Sequence, residues 1–123
     1  MRAIGYVSDG ELLALYQRAA CFVYPSFYEG FCLPPLEAMR AGCPVVVSCA
    51  AALPEVCGDA ARYVDPHRPE EIAKQILQAS QPAERQALRT AGWQQASAFT
   101  WERAAREIWQ VINKGLSYEQ VTL

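Results

Sequence analysis

Glu29-Gly30-Phe31-Cys32-Leu33-Pro34-Pro35-Leu36-Glu37 sets two carboxylates on either side of seven residues that spell a turn and the start of a helix. A strand-like run, Cys21-Phe22-Val23-Tyr24, leads into it. Pro34 and Pro35 suit the first helical positions, where a missing N–H costs nothing. Glu29 is therefore expected on the loop at a strand's carboxyl end, and Glu37 in the first turn of the following helix. In an open α/β sheet ligands bind at that edge, and helix-terminal N–H groups there favour an anion such as a phosphate. Carboxylates that accept from sugar hydroxyls, beside N–H groups aimed at phosphate, suit a nucleotide-sugar. Each Glu alone has a plainer reading, as a charge at the helix dipole or as part of a turn. The spacing, flanked by Pro25-Ser26 and Ala38-Met39, favours function.

Strands and helices alternate around this stretch, the pattern of a parallel sheet. A strand is expected over residues 3–7. Ser8 then reads as an N-cap, with Glu11 completing a capping box. In the helix that follows, Leu12, Tyr16 and Ala19 share one face. The helix carrying Glu37 is expected to end at Gly42. Pro44-Val45-Val46-Val47-Ser48 is apolar enough for a strand covered on both faces. A short helical turn is expected at Pro54 and a brief strand at Arg62-Tyr63-Val64. Helices follow from Pro69, from near Pro82 and from a cap at Thr100. Trp101 and Trp109 read as packing residues.

The composition limits the function classes. With 123 residues, 52% of them hydrophobic and 20% charged, the chain has the make-up of one folded domain. A net charge of −2 gives no reason to expect nucleic acid. No apolar run reaches membrane-spanning length and no signal-peptide pattern stands at the N-terminus, so a cytoplasmic location with at most peripheral membrane association is expected. The five cysteines, Cys21, Cys32, Cys43, Cys49 and Cys57, form no C-x-x-C pair. Most read as small buried hydrophobes. Cys32 stands near a helix N-terminus, where a thiol's pKa can fall. His67, the single histidine, lies in a turn-like run and reads as a solvated residue.

The run Tyr24-Pro25-Ser26-Phe27-Tyr28-Glu29-Gly30-Phe31-Cys32-Leu33-Pro34-Pro35-Leu36-Glu37-Ala38-Met39 closely resembles the donor-site signature of retaining family-4 (group 1) glycosyltransferases. Gly5-Tyr6-Val7-Ser8-Asp9, Ala41-Gly42-Cys43-Pro44-Val45-Val46-Val47-Ser48, Leu53-Pro54-Glu55-Val56, Gly58-Asp59-Ala60-Ala61, Val64-Asp65-Pro66 and Phe99-Thr100-Trp101-Glu102 follow the family's order. The resemblance implies the GT-B fold, in which two Rossmann-like domains face each other across a cleft. This chain would be a partial C-terminal, donor-binding domain, an α/β parallel sheet of about four strands flanked by helices.

By the same resemblance Glu29 would be the catalytic-site carboxylate that accepts from hydroxyls of the donor hexose, and Glu37 would clasp the ribose diol. Gly30 and the N–H groups of Phe31, Cys32 and Leu33 would face the sugar and its phosphates, with Val7 and Asp9 near the nucleobase. The family usually has Gly where Cys32 stands. The donor implied is a GDP- or UDP-hexose, as in mannosyltransferases of polysaccharide synthesis, with no metal and no other cofactor.

The resemblance further places a Gly-rich turn, an Arg and a Lys that hold the diphosphate, and the whole acceptor domain upstream of the residues matched here. The expected partner is therefore the N-terminal domain of a parent enzyme, and the 123-residue chain alone is expected to be inactive. In a family-like sheet of order 3-2-1-4-5-6, residues 3–7 would have to pair directly with Cys21-Phe22-Val23-Tyr24, swap with a second molecule, or lie loose. An uncovered edge, together with Ile108, Val111 and Ile112 on the last helix, leads to an expected two-fold homodimer. The rival function is a non-catalytic binding module that keeps the fold.

Overall fold

The computed structural model describes residues 1–119. Its first helix, α1 (Asp9–Arg18), begins at the expected capping box: the Ser8 N–H donates to Glu11 Oε2 at 2.8 Å, while the Glu11 N–H faces Ser8 Oγ. Then come β1 (Phe22–Tyr24), α2 (Leu33–Arg40), β2 (Val45–Ser48) and α3 (Leu53–Cys57). A 3-10 turn at Gly58–Ala60 leads to β3 (Arg62–Val64), and the chain continues through α4 (Pro69–Ala79), α5 (Pro82–Ser97) and α6 (Trp101–Glu119).

The three strands are parallel in the order β1-β2-β3, with Phe22 opposite Val45 and Ser48 opposite Val64. β2 is the centre of the sheet. Its residues Val45, Val46, Val47 and Ser48 are all fully buried, as an apolar strand between two helical layers must be. Tyr16, Leu36, Met39, Val45, Val47, Leu53 and Val56 pack on one face, and Val46, Val64, Ala79 and Leu88 on the other.

α2, which carries the signature, is fixed at both ends. Gly42, at φ +77, takes the left-handed conformation that terminates it, and its N–H donates to Met39 O at 3.0 Å. Its inner face lies against α5 at Gly92, where an added Cβ would come within 3.1 Å of Met39 Cγ. Glycine there permits the close approach of the two helices.

Two expectations about the ends of the chain are corrected. The strand over residues 3–7 does not form, so the sheet has three strands rather than about four. Gly5, at φ +69, turns the backbone out of extended geometry, and Tyr6 is exposed instead of packed. β1 is consequently an edge strand. Trp101 and Trp109 are 82% and 62% exposed, so they are not packing residues. α6 is amphipathic, but among the described residues no element covers its apolar side. Ile108, Val111 and Ile112 are exposed, as the sequence suggested.

Candidate functional site

The site forms at the carboxyl edge of β1 and β2. Tyr24, the last residue of β1, sends its hydroxyl to Glu29 Oε1 at 2.7 Å. Ser26 Oγ donates to the same oxygen at 2.9 Å. The loop is in turn tied to the central strand, because the buried Ser48 hydroxyl at the end of β2 donates to the Ser26 carbonyl. Glu29 is thus held from two neighbouring strands by side chains whose positions the sheet register sets.

These hydrogen bonds tune the charges. Donation first from Tyr24 and then from Ser26 holds the Glu29 carboxyl below its usual range, with a smaller contribution from the Cys32 thiol in the same direction. The converse applies to its partners. Hydrogen bonding to Glu29 pushes the Tyr24 phenol up to about 12, and burial with the nearby Glu29 charge pushes Cys32 to about 11. The expectation of a lowered Cys32 pKa is therefore overturned: desolvation and a neighbouring carboxylate outweigh the helix terminus.

Cys32 is the N-cap of α2 and sits at φ 75, ψ 77 in the left-handed region. That conformation explains why glycine suits the position, since a Cβ there costs about 1–2 kcal/mol. The residue is 7% exposed, so its side chain fills space beneath the loop as well. Cys32→Gly is expected to be more stable than Cys32→Ala by about 1 kcal/mol, because both lose the thiol and only glycine relieves the backbone. Urea unfolding of the two variants checks this; equal midpoints or an advantage for alanine would contradict the strain.

The main-chain N–H groups of Phe31, Cys32 and Leu33 donate to no acceptor among the described residues, and Pro34 and Pro35 come next in the first turn of α2. The head of the helix therefore offers free donors beside Glu29. Gly30 has open space around it. Glu37 is the fifth residue of α2, one turn in rather than within the first turn, and it is exposed. Its charge, after burial, raises the pKa of the Tyr16 phenol, which places it over the α1 side of the helix.

Glu37 also opens onto a groove of about 720 Å³ that Phe31, Arg40, Phe99 and Trp101 help to line. Val7 is half-buried ahead of α1 and Asp9 is the first residue of α1; neither is hydrogen-bonded to the signature loop. The loop after β3 meets the signature loop through the rings of Phe27 and His67, 4.9 Å apart, and His67 is exposed as expected.

Of the other cysteines, Cys43 and Cys57 are buried, Cys21 is half-buried and Cys49 is exposed. Among the described residues no group of three or more His, Cys, Asp or Glu side chains is arranged to hold a metal ion, and no helix is long and apolar enough to cross a membrane.

Tyr24, Ser26 and Ser48 were given no individual role by the sequence reading. The signal available was a hydroxyl at the carboxyl end of each of two adjacent strands, with Ser26 three residues before Glu29.

Residues 1–94 match the family model of the group 1 glycosyl transferases. The O-antigen chain mannosyltransferase B of Escherichia coli is 48% identical over 108 residues, which are 87% of this chain and 28% of that protein. The MMP alpha-(1->4)-mannosyltransferase of Mycolicibacterium hassiacum is 38% identical over 90% of this chain and 28% of its own length. The solved sucrose-phosphate synthase of Thermosynechococcus elongatus superposes with a TM-score of 0.82 at 28% identity, covering 94% of this chain and 30% of that one. The chain thus spans somewhat over a quarter of the length of each of these two curated relatives. The parallel sheet, the carboxylate pair astride α2 and these matches agree: the chain belongs to the group 1 glycosyltransferases and has the fold of their C-terminal GT-B domain.

Proposed function

We propose that this chain is the donor-binding part of a retaining hexosyltransferase that draws on a GDP- or UDP-hexose during polysaccharide synthesis in the cytoplasm. The observation that carries the reading is the convergence, at one sheet edge, of Glu29, whose carboxyl Tyr24 and Ser26 hold below its usual pKa range, and the free N–H groups of Phe31, Cys32 and Leu33. A carboxylate pairs with sugar hydroxyls, and N–H groups at a helix head pair with a diphosphate. The mannosyltransferase relatives favour a mannose-type donor. In this reading Glu29 contacts the hexose, Glu37 the ribose, and Val7 and Asp9 lie toward the base. Electrostatic support of the leaving diphosphate, the main catalytic demand, falls to cations outside these residues.

The test follows from the 48% identity to the Escherichia coli enzyme. The 108 matched residues of this chain replace their counterpart there, and the chimera is supplied with GDP-mannose and other nucleotide-sugars. The chimera is expected to form glycoside, whereas the 123-residue chain alone forms none. A folded chimera with no turnover on any donor would count against the reading. Turnover by the chain alone that disappears in Glu29→Ala would overturn the placing of diphosphate support outside these residues.

A further inference from the structure

We infer that Tyr24 and Ser26 are positioning residues of the transfer site, which together occupy Oε1 of Glu29 and leave Oε2 as the acceptor offered to the donor sugar. The inference rests on the role given to Glu29 above and extends it to residues to which that reading gives no part. The geometry is specific. Two hydroxyls reach one carboxylate oxygen, at 2.7 and 2.9 Å, from the end of β1 and from the loop that follows it. A carboxylate oxygen has two lone-pair sites, so these two hydroxyls fill Oε1. The Ser26 proton lies closer to it than to the Tyr28 carbonyl at 3.2 Å, and Oε2 keeps acceptor capacity even with the Cys32 thiol as a further, weaker donor to the carboxylate.

Both donors are themselves fixed. The Tyr24 ring stacks on Phe22, with centroids 5.8 Å apart at 21°, and Phe22 meets Tyr16 edge-on at 5.3 Å. Ser26 is held by the buried Ser48 through its carbonyl. The chain of contacts runs from the central strand to the carboxylate: Ser48 fixes the Ser26 backbone, and Ser26 and Tyr24 fix the rotamer of Glu29.

The arrangement also sets when Glu29 carries its charge. The titratable groups facing it are the Tyr24 phenol from β1 and the Cys32 thiol at the head of α2, and both are pushed up, to about 12 and about 11. They stay protonated donors at neutral pH. Glu29, with its pKa depressed, keeps its charge until the pH falls through that lowered value. Removing a donor raises the value and moves the loss of charge to higher pH.

The experiment has two arms. In the 123-residue chain, the Glu29 side-chain carboxyl is followed by carbon-13 NMR against pH in wild type, Tyr24→Phe and Ser26→Ala. Tyr24→Phe keeps the stacked ring and removes only the hydroxyl. The Glu29 midpoint is expected to rise in each variant; unchanged midpoints in both would overturn the inference.

In the chimera, Tyr24→Phe is expected to lower kcat about three- to tenfold, the worth of one hydrogen bond, with a smaller change in donor KM. The acid limb of the rate profile should move to higher pH. In a Glu29→Ala background the same substitution should add nothing. Additive losses in that background, or an unmoved acid limb, would show that Tyr24 acts elsewhere. If Glu29→Ala itself leaves transfer intact, the catalytic reading of Glu29 falls and so does the positioning role derived from it. A failure confined to Tyr24 and Ser26, with Glu29 essential, sinks the positioning inference alone.

Discussion

Glu29→Ala is expected to lower kcat of the chimera about a hundred-fold or more, with a modest change in donor KM. Tyr24 and Ser26 hold the carboxylate in place and keep its pKa below the usual range, so each hydrogen bond it would make to a hexose hydroxyl in the proposed role is one to a charged group. Such bonds are worth about ten- to hundred-fold each. Contacts to the reacting sugar strengthen as charge develops on it, so their loss falls on kcat. Glu37→Ala should behave differently. Glu37 is exposed, further along α2 and assigned to the ribose, which does not react. Its loss should raise KM about tenfold at nearly constant kcat. Steady-state kinetics against nucleotide-sugar concentration separates the two. Equal kcat in both variants, with only KM altered, would contradict the assignment.

The second large effect is on stability. Met39→Ala is expected to cost about 2–5 kcal/mol, the usual range for emptying a packed Met or Leu site. Met39 is 1% exposed on the inner face of α2, and its side chain fills the contact with α5 at Gly92. Gly92 on the facing helix offers no side chain of its own to fill the space left behind. A loss of that size is a large share of an ordinary domain's stability. Urea unfolding followed by circular dichroism gives the value. A change below about 1 kcal/mol would mean that α2 and α5 close over the gap, and that this junction is softer than its geometry implies. Because α2 carries both the Cys32 cap and Glu37, a milder core substitution at the same position should also raise donor KM.

The part of the fold that could be read from the sequence is the part set by local rules. Ser8 with Glu11, Pro34 with Pro35, and Gly42 mark helix ends through backbone chemistry alone. Val45, Val46 and Val47 form an apolar run because β2 is covered on both faces. The α1 face of Leu12, Tyr16 and Ala19 turns inward as its spacing indicates.

What failed depended on partners. Residues 3–7 have a strand-like composition, but a strand needs a neighbour. With Gly5 in the left-handed region no ladder forms against β1. Trp101 and Trp109 lie on an amphipathic helix, a pattern that indicates an apolar side without saying what covers it. The Cys32 thiol departs from the expectation because the helix-terminus effect is local, whereas burial and the Glu29 charge are tertiary. The same holds for the site's support. Tyr24 and Ser48 come together because Tyr24 pairs opposite Val47, the residue before Ser48, a register no single strand's sequence reveals.

Whether Glu29 receives the donor hexose at the head of α2 is decided by a crystal structure of the chimera with an intact nucleotide-hexose. A hexose hydroxyl is expected within hydrogen-bond distance of Glu29 Oε2, about 2.5–3.0 Å, with Tyr24 and Ser26 still on Oε1. The diphosphate should meet the N–H groups of Phe31, Cys32 and Leu33, and Glu37 should hold the ribose. A donor bound in the groove beside Phe99 and Trp101, with its hexose away from Glu29, would contradict it.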